Sequence, residues 1–185
     1  MSNYRAVAFS GSLRTGSLNT ALVLMAQRVA PERLSIEIID YVDQLPWMNP
    51  DVEYDPPAVV QRLWDDVRGS DALLIGLPEY NWGTSALAKN ALDWLSRPAD
   101  DRHVAGTTIA FLSAASASGG QRAQDGISTV LGLMGATIVD EPHVRLSFAG
   151  DRLNADGTTS DPEIEAQVRA KLDAIVASLD ARAAG

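Results

Sequence analysis

Short polar side chains, two glycines and one arginine are concentrated in the stretch Ser10-Gly11-Ser12-Leu13-Arg14-Thr15-Gly16-Ser17-Leu18-Asn19. An apolar run at 6–9 precedes this stretch and a helical pattern at 21–26 follows it, so a strand, a turn and a helix N-terminus come in that order. Such a turn gathers free backbone N–H groups at the positive end of the helix dipole, which creates a binding site for an anion. Arg14 adds a fork of donors that matches phosphate oxygens. We therefore expect this loop to hold a terminal phosphate group.

The same loop lacks residues that two better-known phosphate-binding motifs require. Gly11 and Gly16 have the spacing of the Walker A motif. Ser17 stands where that motif needs Lys, however, and Leu18 stands where it needs Ser or Thr to bind Mg²⁺. Leu13 occupies the second glycine position of the dinucleotide pattern G-x-G-x-x-G. The loop therefore favours a phosphate monoester held without a metal, and the alternative is a simple turn with Ser17 as the helix N-cap.

Two later loops have compositions that suit a flat heteroaromatic ligand. In the loop 78–85, Pro78 fixes the chain direction, and the segment 79–82 offers amides and aromatic faces. The loop 113–122 consists mainly of Ala, Ser and Gly, so its backbone can approach a ring closely. Amides there could bond a carbonyl edge and stabilise negative charge on it. The alternatives are a turn whose aromatic residues complete the core and a flexible Ser/Gly turn.

The composition is that of an ordinary soluble globular protein, with 185 residues, of which 46% are apolar and 21% charged. This length suits one domain, residues 1–185, with a sizeable core. The absence of cysteine excludes disulfides, thiolate nucleophiles and cysteine-ligated zinc or iron–sulfur sites. No apolar run approaches the roughly 20 residues of a membrane span, and the first residues lack a secretory signal. The sequence therefore predicts a cytoplasmic protein with no membrane partner.

Charge and histidine usage exclude further classes of function. The net charge is −9 at pH 7 and no cluster of basic residues stands out, which argues against binding to nucleic acid. His103 and His143 are the two histidines, and both lie outside the three polar loops. No group of His, Asp and Glu has the spacing of metal ligands, and no Ser-His-Asp set is evident. We therefore expect no metal site and no hydrolytic triad.

Strand-like and helix-like patterns alternate along the whole chain. The patterns predict strands at 4–10, 34–40, 72–77, within 104–113 and at 137–139, with 143–146 as a candidate extension of the last. They predict helices at 17–30, 57–69, 86–96, 122–135 and 161–181, and a long proline-containing loop at 41–56. Five such units predict an α/β fold, a doubly wound five-stranded parallel sheet.

The order of the strands decides which loops can share a ligand. In the flavodoxin-like order 2-1-3-4-5, the crevice opens between strands 1 and 3. The loops after strands 1, 3 and 4 then meet at one end of the sheet, and these are the three loops with unusual composition. We therefore expect one ligand to contact all three loops.

Three segments of the chain, together with part of the fourth loop, resemble the NADPH-dependent FMN reductase family. They are Gly11-Ser12-Leu13-Arg14-x-x-Ser17-x-Asn19, Pro78-Glu79-Tyr80-Asn81, Leu87-x-Lys89-Asn90-Ala91-Leu92-Asp93-Trp94-x-Ser96-Arg97-Pro98, and Gly119-Gly120-x-Arg122-Ala123-Gln124. The similarity extends over about residues 4–147. This family contains flavodoxin-like quinone, chromate and azo reductases. The resemblance implies bound FMN, NADPH or NADH as the electron donor, a small-molecule electron acceptor, and homodimers or homotetramers.

The resemblance also assigns cofactor-binding residues by motif position. It assigns the FMN phosphate and ribityl end to Ser10, Ser12, Arg14, Ser17, Leu18 and Asn19. It assigns the isoalloxazine ring to Pro78, Glu79, Tyr80 and Asn81, and its pyrimidine rim to Ser113, Ser118, Gly119 and Gly120. The chain departs from the family at 83–85, where Pro is frequent, and at 115–117, where Ser-Pro-Gly is frequent.

The leading hypothesis is a flavin reductase in which the flavin performs the chemistry, so no dedicated catalytic residue is expected. A nicotinamide would pass hydride to flavin N5, and two electrons would then reach a quinone-like, azo, metal-oxyanion or free-flavin acceptor. Amides of 118–120 would stabilise negative charge on the reduced ring. Tyr80, Trp82 and the 41–56 loop, with Trp47 and Met48, are candidate walls of the acceptor pocket.

Two other functions remain open at the level of the sequence. A one-electron carrier of the flavodoxin type would use the acidic surface for docking, although Arg14 in the phosphate loop argues against it. A non-catalytic module would bind a phosphorylated ligand through the same loop. The two differ from a reductase in how the protein responds to FMN and to NAD(P)H.

Overall fold

In the computed structural model, which describes residues 3–184, eight β-strands alternate with five α-helices. The strands are β1 (Tyr4–Ser10), β2 (Leu34–Ile38), β3 (Ala72–Gly76), β4 (Glu79–Tyr80), β5 (Gly83–Thr84), β6 (Thr108–Ala115), β7 (Thr137–Ile138) and β8 (Val144–Ser147). The helices are α1 (Leu18–Val29), α2 (Ala58–Arg68), α3 (Ala86–Leu95), α4 (Gln121–Leu133) and α5 (Pro162–Ala183). The predicted domain limits, residues 1 and 185, lie outside the described residues.

The main sheet has the order β2-β1-β3-β6, and β7 and β8 both pair with β6 at the outer edge. All of these pairings are parallel. The short strands β4 and β5 form a separate antiparallel hairpin. The strands β2, β1, β3 and β6 occupy the first four places of the predicted order 2-1-3-4-5, and β7 and β8 together occupy the place of the fifth strand. The prediction of a five-stranded parallel sheet is confirmed.

Alternating residues of the strands pack on opposite faces of the sheet. Ala6 and Ala8 of β1 belong to the core that α1 and α5 cover. Val7 and Phe9 belong to the core on the other face, which α2, α3 and α4 cover. Because helices cover both faces, all five residues of β3 are buried, which explains the continuous apolar run of this strand.

Side chains placed just before three helices fix where those helices begin. Ser17, Ser85 and Asp161 cap α1, α3 and α5, each accepting a hydrogen bond from a backbone N–H of the first turn. Pro162 occupies the first turn of α5, as the sequence predicts. Within residues 3–184, none of the helices combines the length and the apolar character that crossing a membrane requires.

The long loops contain more structure than the sequence predicts. Two short 3₁₀ helices interrupt the loop 41–56, and the hairpin of β4 and β5 occupies most of 78–85. The strand predicted within 104–113 runs from Thr108 to Ala115. Gly106 has a φ of +76° and turns the chain just before this strand begins.

A buried lysine joins the last helix to the divided edge strand. Lys171 on α5 is 2% exposed, and its ammonium group donates to the carbonyls of Val139 (2.9 Å) and Asp140 (2.6 Å), in the connection between β7 and β8. Burial lowers the pKa of Lys171 to about 8. The ammonium group therefore holds the connection in place, and it loses its proton more easily in the folded chain than in the unfolded chain.

This shift predicts a specific pH dependence of stability. Between pH 8 and 10.5, the unfolded chain keeps a proton on Lys171 that the folded chain has released, so the free energy of unfolding should rise with pH. Denaturant titrations at several pH values should show this rise in the wild type and in Lys89→Met, a change at an exposed lysine, and should show a smaller rise in Lys171→Met. Equal slopes in all three proteins would contradict the assignment.

Candidate active site

The loops after β1, β3 and β6 meet at the carboxyl edge of the sheet, as the strand order requires. The Gly11 N–H donates to the carbonyl of Gly76 at 2.8 Å, and the Ser85 hydroxyl donates to the carbonyl of Gly11, also at 2.8 Å. A Cβ on Gly11 would lie 2.8 Å from that of Ala88, so a side chain there would disturb the packing against α3. The first loop is therefore held firmly against the second.

The start of α1 lies unusually close to the sheet because β3 ends in a glycine. A Cβ on Gly76 would lie 2.5 Å from the carbonyl oxygen of Asn19, so any side chain would push the helix away. The Asn19 side chain then reaches β6, where its Nδ2 donates to the Ala114 carbonyl (2.9 Å) and its Oδ1 accepts from the Ala114 N–H (3.0 Å). Asn19 therefore clamps α1 to the sheet, because both its amide nitrogen and its amide oxygen bond to the backbone of Ala114.

A first cleft of about 240 Å³ opens beside the start of α1. Leu18 and Asn19 are the first two residues of this helix, and their backbone N–H groups have no acceptor among the hydrogen bonds of residues 3–184. Arg14 is exposed on the same cleft, and one of its guanidinium nitrogens donates to the Gly16 carbonyl at 3.1 Å. Two free amides, the positive end of a helix dipole and one cation together suit a phosphate.

Most hydroxyl groups of the first loop bond within the loop or to the start of α1. Ser10 Oγ accepts from Thr20 Oγ1 (2.8 Å) and from the Ser12 N–H (3.3 Å), and Ser12 Oγ accepts from the Arg14 N–H (3.3 Å). Ser10 lines a neighbouring cleft on the side of β2, not the first cleft, so it supports the loop through its hydrogen bonds. The predicted residues that do line the first cleft are Ser12, Arg14, Ser17, Leu18, Asn19, Pro78 and Tyr80.

The segment 78–81 separates the first cleft from a second one of about 520 Å³. Pro78 and Tyr80 line the first cleft, whereas Glu79 and Asn81 line the second. Glu79 and Tyr80 of β4 point to opposite sides, as in any extended strand, and Asn81 follows them in the turn. Trp82, at the tip of the hairpin, also lines the second cleft and is 76% exposed. The arginine Arg122 lies over its ring, with the guanidinium carbon 5.6 Å from the ring centroid.

The turn between β4 and β5 has a backbone conformation that the sequence does not reveal. Asn81 and Trp82 have φ values of +48° and +63°, and Tyr80 pairs with Gly83 across them. Two central residues with positive φ are the hallmark of a type I′ hairpin turn, which usually contains glycine at its second position. A bulky residue in this conformation is strained, and Trp82 is held there on the rim of the cleft.

Three residues that the resemblance assigns to the pyrimidine rim of the ring, Ser113, Gly119 and Gly120, are buried in the structure. Ser113 is 0% exposed; its hydroxyl donates to the Leu77 carbonyl (2.7 Å) and accepts from Gln124 (2.9 Å). Gly119 and Gly120 have φ values of +60° and +91°, and a Cβ on either would clash with the chain itself. The glycines are therefore required by backbone conformation and internal packing, and Ser113 does not line either cleft.

Glu79 points its carboxylate at the neighbouring loop. Its side chain is 6% exposed and accepts hydrogen bonds from Ser118 Oγ (2.8 Å) and from the backbone N–H groups of Arg122 (3.0 Å) and Ala123 (3.4 Å). Burial would raise the pKa of Glu79, but these hydrogen bonds, Ser118 first, outweigh it and lower the pKa. Glu79 is therefore an anionic brace between two loops.

Several residues of the two clefts carry no motif that the sequence could reveal. Phe148, Ala149 and Gly150, which follow β8, complete the first cleft. Phe148 is exposed and has a φ of +50°. In the second cleft, Ser116, Ala117 and Arg122 belong to the loop 113–122 but are not among the assigned cofactor-binding residues. Phe148, Ala149 and Gly150 lie outside the three loops of unusual composition, and only the sheet order brings them to the site.

Other candidate groups lie away from the two clefts. Trp47 is exposed and Met48 donates its N–H to Asn90, but neither lines either cleft. His103 lines a larger cavity of about 700 Å³ at the opposite, amino edge of the sheet, where burial lowers its pKa to about 4. Among residues 3–184, no group of three His, Asp or Glu side chains could hold a metal ion.

Comparison with known proteins identifies the family. The model of the NADPH-dependent FMN reductase family matches residues 4–151. The chain belongs to this family.

Relatives of this chain cover most of its length. The chain is 37% identical over 175 residues to a probable NADPH:quinone oxidoreductase of Oryza sativa subsp. japonica. The matched region covers 89% of this chain and 83% of the relative. The chain is also 33% identical over 173 residues to an NAD(P)H-dependent FMN reductase of Pseudomonas aeruginosa, which covers 92% of each chain. The chain is therefore an oxidoreductase, with FMN as its cofactor and NAD(P)H as its electron donor.

The solved structure of FerB, a flavoenzyme NAD(P)H:(acceptor) oxidoreductase of Paracoccus denitrificans, has the same architecture as this chain. The two structures have a TM-score of 0.85 and 30% sequence identity, and the match covers 96% of this chain and 97% of FerB. The flavodoxin-like fold expected from the sequence is thereby confirmed.

Shortening the Asn19 side chain should lower the stability of the protein, because this side chain joins α1 to β6. Asn19→Ala leaves the buried N–H and carbonyl of Ala114 without their partners, so the free energy of unfolding should fall by roughly 1–3 kcal/mol. Urea denaturation measures this quantity. Asn3→Ala, at an exposed position, should leave it unchanged, and an equally small effect of Asn19→Ala would contradict the clamp.

The strained turn predicts opposite effects of the same substitution at two exposed tryptophans. Trp82→Gly relieves about 1 kcal/mol or more of backbone strain, which offsets the lost Arg122 contact and the flexibility of glycine. We expect the free energy of unfolding to be unchanged or higher in Trp82→Gly and lower in Trp47→Gly, where φ is not positive. Equal losses in both variants, measured by denaturant titration, would show that the turn stores no strain.

Proposed function

We propose that this protein is an NAD(P)H-dependent FMN reductase that passes two electrons to a small-molecule acceptor of the quinone class. The observation that carries this proposal is the pairing of free backbone amides and Arg14 at the start of α1 with an aromatic-rimmed loop on the same cleft. When bound, FMN supplies the redox chemistry, accepting hydride from the nicotinamide and delivering electrons to the acceptor. The relatives named as quinone oxidoreductases support the class of acceptor.

The phosphate end of FMN is the part that the chain recognises by charge. We propose that the free N–H groups of Leu18 and Asn19 bind the phosphate oxygens, together with Arg14 and the Ser12 hydroxyl. Among residues 3–184, Arg14 is the one Lys or Arg that lines this cleft, and the helix dipole adds positive potential at the same point. Ser10, Ser17 and the Asn19 side chain contribute indirectly, since their bonds fix the shape of the loop.

The ring of FMN would be held by backbone and aromatic groups. We propose that Pro78, Tyr80 and Asn81 lie along the ring and that the backbone of 118–120 faces its carbonyl edge. The N–H group of Ser118 has no acceptor among the hydrogen bonds of residues 3–184, and Ser118 lines the second cleft, so this N–H group can donate to a carbonyl oxygen of the ring. Tyr80 and Trp82 would form walls that orient a flat nicotinamide or quinone and limit the access of water.

Proton transfer by a dedicated side chain has no support in the geometry. His103 lies at the opposite edge of the sheet, and His143 makes ion-pair contacts with Asp140 and Glu141 away from both clefts. We propose that the chain contributes orientation and electrostatic field to the reaction, which is the usual contribution of a protein to flavin chemistry.

An anaerobic experiment tests the proposed reaction. Protein loaded with FMN is mixed with NADPH and, separately, with NADH, and the loss of the visible absorbance of oxidised flavin is followed. We expect rapid bleaching, and recovery of colour on addition of a benzoquinone. Slow bleaching with a stable one-electron-reduced spectrum would favour a flavodoxin-type carrier instead, and failure to bind FMN would favour a non-catalytic module.

The phosphate assignment predicts a selective loss of affinity. Arg14→Ala should weaken FMN binding by roughly 1.5–3 kcal/mol, the range of hydrogen bonds to charged groups, and should leave riboflavin binding unchanged. Fluorescence titration of FMN-free protein measures both affinities. Arg102→Ala, an exposed arginine at the amino edge, serves as the control, and unchanged FMN affinity in Arg14→Ala would refute the assignment.

A further inference from the structure

The carboxylate of Glu79 makes four polar contacts although it belongs to a two-residue strand. Besides Ser118 Oγ and the backbone N–H groups of Arg122 and Ala123, it contacts the Arg122 guanidinium at 3.3 Å. With only 6% of its side chain exposed, Glu79 has little surface left for a ligand. Its carboxylate is therefore committed to the protein itself.

These contacts replace a missing helix cap. The residue before α4 is Gly120, which has no side chain that could accept hydrogen bonds from the free N–H groups of the first turn. Arg122 and Ala123 are the second and third residues of α4, the positions that an N-cap side chain normally serves. Glu79 performs this capping from another loop, and its negative charge faces the positive end of the helix dipole.

The same side chain joins the two loops proposed to hold the flavin ring. Ser118 donates to Glu79 and accepts from the Gly120 N–H at 3.2 Å, which continues the connection into the loop after β6. The Arg122 guanidinium lies between Glu79 and the ring of Trp82. One carboxylate therefore links the backbone of 78–81, the backbone of 118–120 and, through Arg122, the exposed Trp82.

We propose that Glu79 is a positioning residue for the flavin ring, which it serves by bracing the loops after β3 and β6 without contacting the cofactor. This inference rests on the proposed function. Pro78 and Tyr80 line the cleft that holds the start of α1, whereas Glu79 lies on the other side of the segment. Loss of the brace should therefore disturb the ring and leave the phosphate contacts intact.

Comparison of two flavins separates the brace from the phosphate site. Glu79→Gln keeps one acceptor oxygen for the backbone N–H groups of Arg122 and Ala123, but it removes the charge and places an N–H₂ group opposite the Arg122 guanidinium, so the link between the loops should weaken. We expect its affinities for FMN and for riboflavin to fall by the same factor, about tenfold, in fluorescence titrations. The contrast is Arg14→Ala, which should change the affinity for FMN alone.

The reduction potential gives a readout that general destabilisation would not move. Glu79→Gln removes a negative charge and leaves Arg122 and the end of α4 uncompensated, so the bound flavin should become easier to reduce. We expect a more positive midpoint potential by spectroelectrochemistry. Glu32→Gln makes the same chemical change at an exposed position whose side chain has no hydrogen bond or ion pair among residues 3–184, and it should match the wild type in both measurements.

Each outcome decides the inference. If Glu79→Gln fails to fold, Ser118→Ala, which removes one contact of the brace, should show a smaller but equal loss for the two flavins. Wild-type affinity and potential in a folded Glu79→Gln would overturn the inference and leave the proposed function intact, as would a loss confined to FMN. Failure of the wild type to bind either flavin would overturn the proposed function and this inference with it.

Discussion

The close approach of α1 to the end of β3 is the constraint on which the site depends. Gly76 leaves room for the carbonyl of Asn19, and the Asn19 amide bonds the backbone of Ala114 in β6. One helix N-terminus is thereby fixed across two neighbouring strands. Its free N–H groups are held at the point where the crevice between β1 and β3 opens, and the positions of the other loops follow from the sheet.

Side chains and backbone divide the work of the site in an unexpected way. Many polar side chains of the motif segments, including Ser10, Ser17, Asn19, Glu79 and Ser113, bond to the protein itself. The groups left for a ligand are mainly backbone amides, Arg14 and exposed aromatic rings. A conformationally rigid frame of this kind suits a cofactor whose ring must be placed accurately for electron transfer.

The sequence predicts the local parts of this architecture well and the long-range contacts poorly. Apolar runs and the caps Ser17 and Asp161 locate strands and helices because their signals lie within a few neighbouring residues. The burial of Ser113 and the capping of α4 by Glu79 depend on residues 36 to 44 positions apart, which no periodicity encodes. The sequence does not predict the type I′ hairpin turn, because its central residues, Asn81 and Trp82, lack the glycine that normally marks such a turn.

The edge of the sheet next to β6 is divided into two short strands, β7 and β8, and this division affects whether a neighbouring molecule can pair with that edge. A long edge strand would offer a row of unpaired N–H and C=O groups to a neighbouring chain, which is a common route to aggregation. Here that edge consists of β7, with two residues, and β8, with four, separated by a connection that Lys171 holds against α5. The interruption therefore shortens the row of unpaired backbone groups that this edge, opposite β2, offers to a neighbouring chain.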